Sequence, residues 1–164
     1  MKKFTTLWII PLLVFSCTFP KKDGVENKGE LQKSSIEIEQ LVMEKEKDAL
    51  NSWAEGSVTG YTKHFDNEAT YVDDIGAHDL IEGLPAIRAY AAKLDSMGMI
   101  HKHTYKIINP KVQLFQDIAI ISLQYHPYKP DGTPGTKWKA TSVYALSDND
   151  WKVVHANWSM LKKE

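Results

Sequence analysis

From His101 to Leu161 the chain offers four long β-prone runs in succession: His101–Gln116, Ile118–Tyr128, Thr136–Ser147 and Trp151–Leu161. Consecutive long strands joined by short connections pair antiparallel, because a parallel return needs a crossover of a dozen or more residues. Two of the connections carry turn chemistry, Lys129-Pro130-Asp131-Gly132-Thr133-Pro134-Gly135 and Ser147-Asp148-Asn149-Asp150. Pro110 falls inside the first run, where a missing N–H predicts a bend or bulge that curls the sheet. A sheet this large must bury one face, and the residues before it supply the cover. Ile36, Ile38, Leu41, Val42, Ala49, Leu50 and Trp53 recur at helical spacing between Ser35 and Gly56. A shorter helix is expected from Ser57 to Phe65, interrupted at Gly60, then a first strand over Ala69–Asp73 after a turn at Asp66-Asn67-Glu68. Gly76 to Gly83 reads as a loop, and Pro85, Ile87, Tyr90, Ala91 and Leu94 signal a third helix. Helices first and a meander afterwards is the α+β pattern, with about three N-terminal helices packed on a cone-shaped curved sheet.

The length of 164 residues and 43% apolar content suit one domain with a real core. Twenty Lys plus Arg oppose 21 Asp plus Glu, and Arg88 is the single arginine, so no nucleic-acid footprint is present. Met1–Ser16 reads as a secretory leader: Lys2 and Lys3, then an apolar run of roughly 12 residues, short of the roughly 20 needed to span a bilayer. Cys17 follows directly, and it is the only cysteine, so no intramolecular disulfide can form. Its place after the apolar run resembles a bacterial lipoprotein box, which implies a lipid-modified Cys17 anchored in the cell envelope. The alternative is a secreted protein with an incidental cysteine. Residues 17–34 are polar and carry Pro20, Gly24 and Gly29, the composition of a tether rather than a core, which leaves 35–164 as the folded domain.

Four stretches resemble the nuclear transport factor 2-like superfamily, in particular SnoaL-like proteins and the association domain of calmodulin-dependent kinase II. They are Trp53-Ala54-Glu55-Gly56 leading to Phe65–Asp73, the helix entry Glu82-Gly83-Leu84-Pro85-Ala86-Ile87-Arg88, the β-rich block, and Thr141-Ser142-Val143-Tyr144 through Asp148 to Trp151–Ser159. The resemblance implies a cystatin-like cone, a pocket inside it, and a homodimer through the outer sheet face. It also places Ser142 where the association domain has a pocket arginine, and Asn157 where it has a second histidine. Ketosteroid isomerases of the superfamily carry a general-base aspartate in a segment similar to Val72-Asp73-Asp74-Ile75-Gly76, which implies that role for Asp73. Their oxyanion tyrosine falls near Ala49, so the oxyanion hole is incomplete here.

Asp73 ends the first expected strand, and at the mouth of an apolar pocket its carboxyl would be raised toward general-base values; the bland alternative is a solvated turn carboxylate beside Asp74. His155 alternates with Trp151, Val153, Asn157 and Ser159, so strand periodicity predicts one shared face and a second candidate catalytic group, against a plain sheet-face histidine. His101 and His103 share a strand face, but no cysteine or HExxH pattern supports a metal. No GxSxG and no glycine-rich phosphate loop is present, and no cofactor is expected. The aromatic set is more persuasive as a cavity wall. Trp53, Tyr61, Tyr71, Tyr90, Tyr125, Tyr144 and Trp158, with His103 and Asn157 as polar partners, are the expected pocket for a small, partly apolar ligand. The expected function is therefore ligand binding by an envelope lipoprotein. The alternatives are an isomerase-, cyclase- or dehydratase-type enzyme built on Asp73, and a non-catalytic interaction module whose cone is packed solid.

Overall fold

The computed structural model describes residues 34–77 and 79–162; the expected leader, Cys17 and the tether as far as Lys33 lie outside the described residues. The first helix, α1, is Ser35–Ala54. Ser34 caps it, accepting the Glu37 N–H at 3.3 Å while the Glu37 carboxylate accepts the Ser34 N–H at 2.7 Å. Such a reciprocal box is worth about 1 kcal/mol. Gly56, at φ +85°, takes the left-handed turn that ends the helix. The second helix, α2, is Val58–Tyr61 and runs into a 3₁₀ turn at Thr62–His64. Gly60 is a packing requirement and not an interruption, because a Cβ there would lie 2.6 Å from the Ser52 Cβ of α1.

The strands are β1 (Phe65–Asp73), β2 (Ile81–Glu82), β3 (Thr104–Phe115), β4 (Ile118–Tyr128), β5 (Trp138–Ser147) and β6 (Asp150–Met160), with α3 (Leu84–Ser96) between β2 and β3. They form one six-stranded sheet in the order β2-β1-β6-β5-β4-β3. The expected antiparallel meander is present over β3 to β6, and β1 adds to β6 in parallel, which makes the sheet mixed. The crossover that a parallel pair requires is supplied by α3 and the whole meander. β1 also begins earlier than expected. Asp66, Asn67 and Glu68 run extended instead of turning, since the irregular register between Phe65 and Thr70 accommodates polar residues beside β6. The register of β3 on β4 slips between Ile108 and Lys111, around Pro110 and Asn109 at φ +49°, as the proline predicts.

A second irregularity matters more. Val143 opposes His155 and Tyr144 opposes Val153, so Val154 has no partner on β5. One extra residue reverses the alternation beyond it. Trp151, Val153, Ala156 and Trp158 are the buried set, whereas His155, Asn157 and Ser159 are half-buried on the other face. The single face expected for Trp151, Val153, His155, Asn157 and Ser159 is thus divided at the bulge. Helices α1 and α3 cover the inner face, α1 against β3 and β4 and α3 against β1. Val42, Ala49, Leu50, Ile87, Ile121, Tyr144 and Val153 form the centre of the core between them.

Deleting Val154 would return His155, Asn157 and Ser159 to the inner face and expel Ala156 and Trp158. The deletion is expected to abolish the cooperative urea transition, whereas Val154→Ala keeps it within about 1.5 kcal/mol of the parent.

Candidate functional site

The open end of the cone holds a cavity of about 340 Å³. Each wall is contributed by a different element. Trp53 comes from α1 and Tyr61 from α2, while Tyr71, Asp73 and Ile75 come from β1 and the turn after it. The connection from α3 to β3 gives Met99, His101 and His103; β4 and its turn give Tyr125, Pro127, Tyr128 and Lys129. Gly135, Thr136, Trp138 and Trp158 close the remaining side from β5 and β6. The size suits a small organic molecule, and the lining is largely aromatic. Trp158 is central to it: its indole N–H donates to the Tyr61 hydroxyl at 2.9 Å, and its ring meets Tyr125 edge-on at 5.6 Å between centroids.

Among the residues singled out from sequence, Trp53, Tyr61, Tyr71, Asp73, His101, His103, Tyr125 and Trp158 line this cavity. The others stand elsewhere. Tyr90 lies behind Asp73 and donates to it. Tyr144 is fully buried beneath the sheet's inner face, donating to Glu46 at 2.7 Å. His155 and Asn157 are on the outer face because of the bulge, and the His155 Nδ1 pairs with Thr70 Oγ1 at 2.8 Å. His101 and His103 do not form a paired metal site. The His103 Nδ1 lies 2.7 Å from the His101 carbonyl oxygen and its Nε2 lies 2.6 Å from the Tyr125 hydroxyl, so both ring nitrogens are engaged.

Asp73 is the only carboxylate in the wall among the described residues, and its surroundings contradict the raised value expected for it. It is 3% exposed, and the solvated turn carboxylate is its neighbour Asp74, which accepts the Met160 N–H at 2.8 Å. The Asp73 Oδ1 accepts the backbone N–H groups of Ile75, Gly76 and Ala77 at 2.8, 3.0 and 3.1 Å. Tyr71 donates to Oδ2 at 3.0 Å, and Tyr90 reaches both oxygens at 2.8–2.9 Å. Burial works to raise this carboxyl, but the N–H groups of Gly76 and Ala77, the Tyr90 hydroxyl and the Ile75 N–H together hold it below the usual value of 3.8. Donors aimed at the charged form keep it ionised and lower its basicity, further from the near-neutral value that suits a general base.

Sequence reasoning missed a second buried carboxylate. Glu46 is 4% exposed, with Ser142 donating to Oε1 at 3.1 Å and Tyr144 to Oε2 at 2.7 Å. Burial raises its carboxyl above the usual 4.5, against the lowering effect of those two hydroxyls. The signal was present in the spacing: Glu46 stands on the α1 stripe defined by Val42, Ala49, Leu50 and Trp53. Lys129 and Thr136 were also missed as wall residues, since only the closing of the cone brings the β4–β5 connection to its mouth.

A helix-backed, open and strongly curved sheet with a cavity at its wide end is the architecture of NTF2-like and cystatin-like folds, and solved structures of both descriptions superpose on this one. The chain belongs to the calcium/calmodulin dependent protein kinase II association domain family, whose sequence model matches residues 37–161. A protein from Parabacteroides distasonis, provisionally named a ketosteroid isomerase, is similar at 28% identity over 75% of this chain and 87% of its own, with a TM-score of 0.63. An NTF2-like protein from Pseudomonas putida, of unknown function, is 18% identical over 80% and 92%, with a TM-score of 0.69. The Chlamydomonas reinhardtii CaMKII hub homology domain is 22% identical over 76% and 99%, with a TM-score of 0.63. No curated protein gives a significant sequence match.

The two carboxylates predict opposite pH dependences. The depressed Asp73 value contributes stability that is complete above about pH 4 and is lost as the pH falls through the folded value. The raised Glu46 value contributes stability that is complete below about pH 4.5 and is lost as the pH rises through its folded value. In urea midpoints measured across pH, Asp73→Asn is expected to flatten the acid limb and lower the plateau by about 3 kcal/mol. Glu46→Gln removes the decline toward neutral pH instead.

Proposed function

We propose that the domain is a binding module that holds a small, partly apolar ligand in its cone, displayed from the bacterial envelope by a lipid on Cys17. One observation carries the choice of binding over proton transfer: the cavity is open and aromatic, while the one carboxylate among the described residues of its wall is committed to five donor groups. To abstract a proton, Asp73 would have to break bonds that stabilise its charge, and its basicity is below that of an ordinary aspartate. The open volume also speaks against a cone packed solid as a pure interaction module. Ser142, directed at Glu46 and away from the cavity wall, supplies no cationic group for a ligand carboxylate.

Self-association belongs to this reading. Structural relatives are described as hub domains, and the outer face of the sheet carries Val72, Ile120 and Val143, half-buried, between Thr70, Thr141 and Ser122. Such a face suits a second copy of the same sheet.

Native mass spectrometry of the purified protein tests both parts. A retained molecule of a few hundred daltons on a dimer or larger oligomer is the expected result, with Ile120→Lys giving monomers. An empty monomer would remove the reading. The anchor is tested separately: in a bacterial host fed an alkyne fatty acid, the chain is expected to take up label and to fractionate with membranes, and Cys17→Ser to lose both.

A further inference from the structure

The proposed ligand needs a polar partner in the cavity, and Asp73, the group that stands out in sequence, has no capacity left. A different pair has. The His103 Nδ1 is 2.7 Å from the His101 carbonyl oxygen, and since a carbonyl can only accept, Nδ1 carries the hydrogen. In the neutral ring Nε2 is then a lone pair, 2.6 Å from the Tyr125 hydroxyl, which donates to it. Tyr125 cannot swing away. Its ring stacks on Tyr105 at 4.8 Å and meets Trp158 edge-on at 5.6 Å, and Tyr105 is itself held by donating to Asn51 Oδ1 at 2.6 Å. With its proton given to His103, the Tyr125 oxygen faces the cavity wall with lone pairs only, as an acceptor.

Protonation of His103 reverses this. An imidazolium donates from both nitrogens; Nδ1 keeps the His101 carbonyl, Nε2–H now donates to the Tyr125 oxygen, and the phenolic proton is released toward the cavity. One proton enters from solvent onto Nε2, and no covalent bond changes elsewhere. The hydroxyl keeps its place and changes from acceptor to donor.

We propose that Tyr125 and His103 are the polar anchor of the cavity, taking an uncharged, flat, apolar ligand through a single oxygen: a hydroxyl when His103 is neutral and a carbonyl when it is protonated. The inference rests on the ligand-binding reading and names the chemistry of the same cavity. The groups that bear on His103 from its surroundings are the His101 ring at 5.8 Å, Tyr125 and Tyr105, and the Lys102–Glu55 ion pair at 2.7 Å beside it. Asp73 and Lys129 stand across the same cavity, one of each charge. Among the described residues no carboxylate contacts the imidazole; its two partners are a carbonyl and a phenol, and its protonation is read directly by the second.

The test uses the full-length chain and three probes, naphthalene, 2-naphthol and 2-acetylnaphthalene, titrated at about pH 5.5 and about pH 8. Trp53, Trp138 and Trp158 line the cavity and supply a fluorescence readout. Relative to naphthalene, 2-naphthol is expected to bind about tenfold tighter at the higher pH than at the lower, and the ketone to show the reverse, a difference of one hydrogen bond. Tyr125→Phe is expected to remove the preference for both oxygenated probes, and His103→Gln to remove the pH dependence while binding persists; far-UV circular dichroism confirms that each variant is folded. If naphthalene binds but the two oxygenated probes follow it at both pH values, the anchor is wrong and the cavity reading stands. Retention of the pH reversal in folded His103→Gln also overturns the anchor. If none of the three binds, the cavity reading itself fails.

Discussion

Val154, the residue of β6 without a partner on β5, decides what the last strand turns toward the helices. Because the side-chain period of a strand is two, one extra residue exchanges the faces of everything beyond it. Ala156 and Trp158 are thereby turned inward, and Trp158 then orders the cavity: it donates to Tyr61, abuts Tyr125, and its carbonyl accepts the Asp74 N–H at 3.1 Å. Asp73 is opposite Trp158 in the parallel pairing of β1 with β6, so the position of the buried carboxylate follows from the same register. A change in that register would move the aromatic wall and the Asp73 turn together.

Two carboxylates under one sheet show how little residue type decides about charge. Asp73 ends a strand where the chain folds back, and three successive N–H groups of the turn converge on one of its oxygens. That arrangement favours the anion despite burial. Glu46 lies mid-helix, where backbone N–H groups are already taken by the helix itself, and among the described residues the Ser142 and Tyr144 hydroxyls are what reach it. Burial wins there. Ser142, which the family resemblance aligns with the association domain's pocket arginine, faces Glu46 within the core of this chain.

The polar chemistry of the cone is therefore divided between a structural carboxylate on one wall and a tyrosine–histidine pair on another. The raised carboxyl expected of Asp73 is reversed by its surroundings and not by its position, since it does stand in the cavity wall. Fold membership alone carries no chemistry, and within this architecture the free lone pairs and protons at the wall decide what can be held or moved.

Much of the architecture was legible in the order of the sequence. The helical spacing before Gly56, the entry at Pro85 and the four long β runs each report a local periodicity, and these elements occupy nearly the expected ranges. The bend at Pro110 was legible because a missing N–H is a local fact. The parallel seam of β1 on β6, the early start of β1 and the bulge at Val154 left no such mark. Each depends on hydrogen bonds to residues far along the chain. The same division runs through the site. Sequence alone determined that an aromatic-rich α+β domain would enclose Trp53, Tyr61, Tyr71, Asp73 and Tyr125, because alternation and helical spacing assign those side chains to inner faces, whereas Trp158 reaches the cavity only through the bulge at Val154. Only the tertiary structure decided that His155 and Asn157 turn outward, that Tyr144 serves a buried glutamate, and that Asp73 is bound by its own turn while Tyr125 is held by His103. Those outcomes depend on which donors and acceptors arrive within 3 Å or so of each group, and that is a property of the assembled sheet and not of any local stretch of chain.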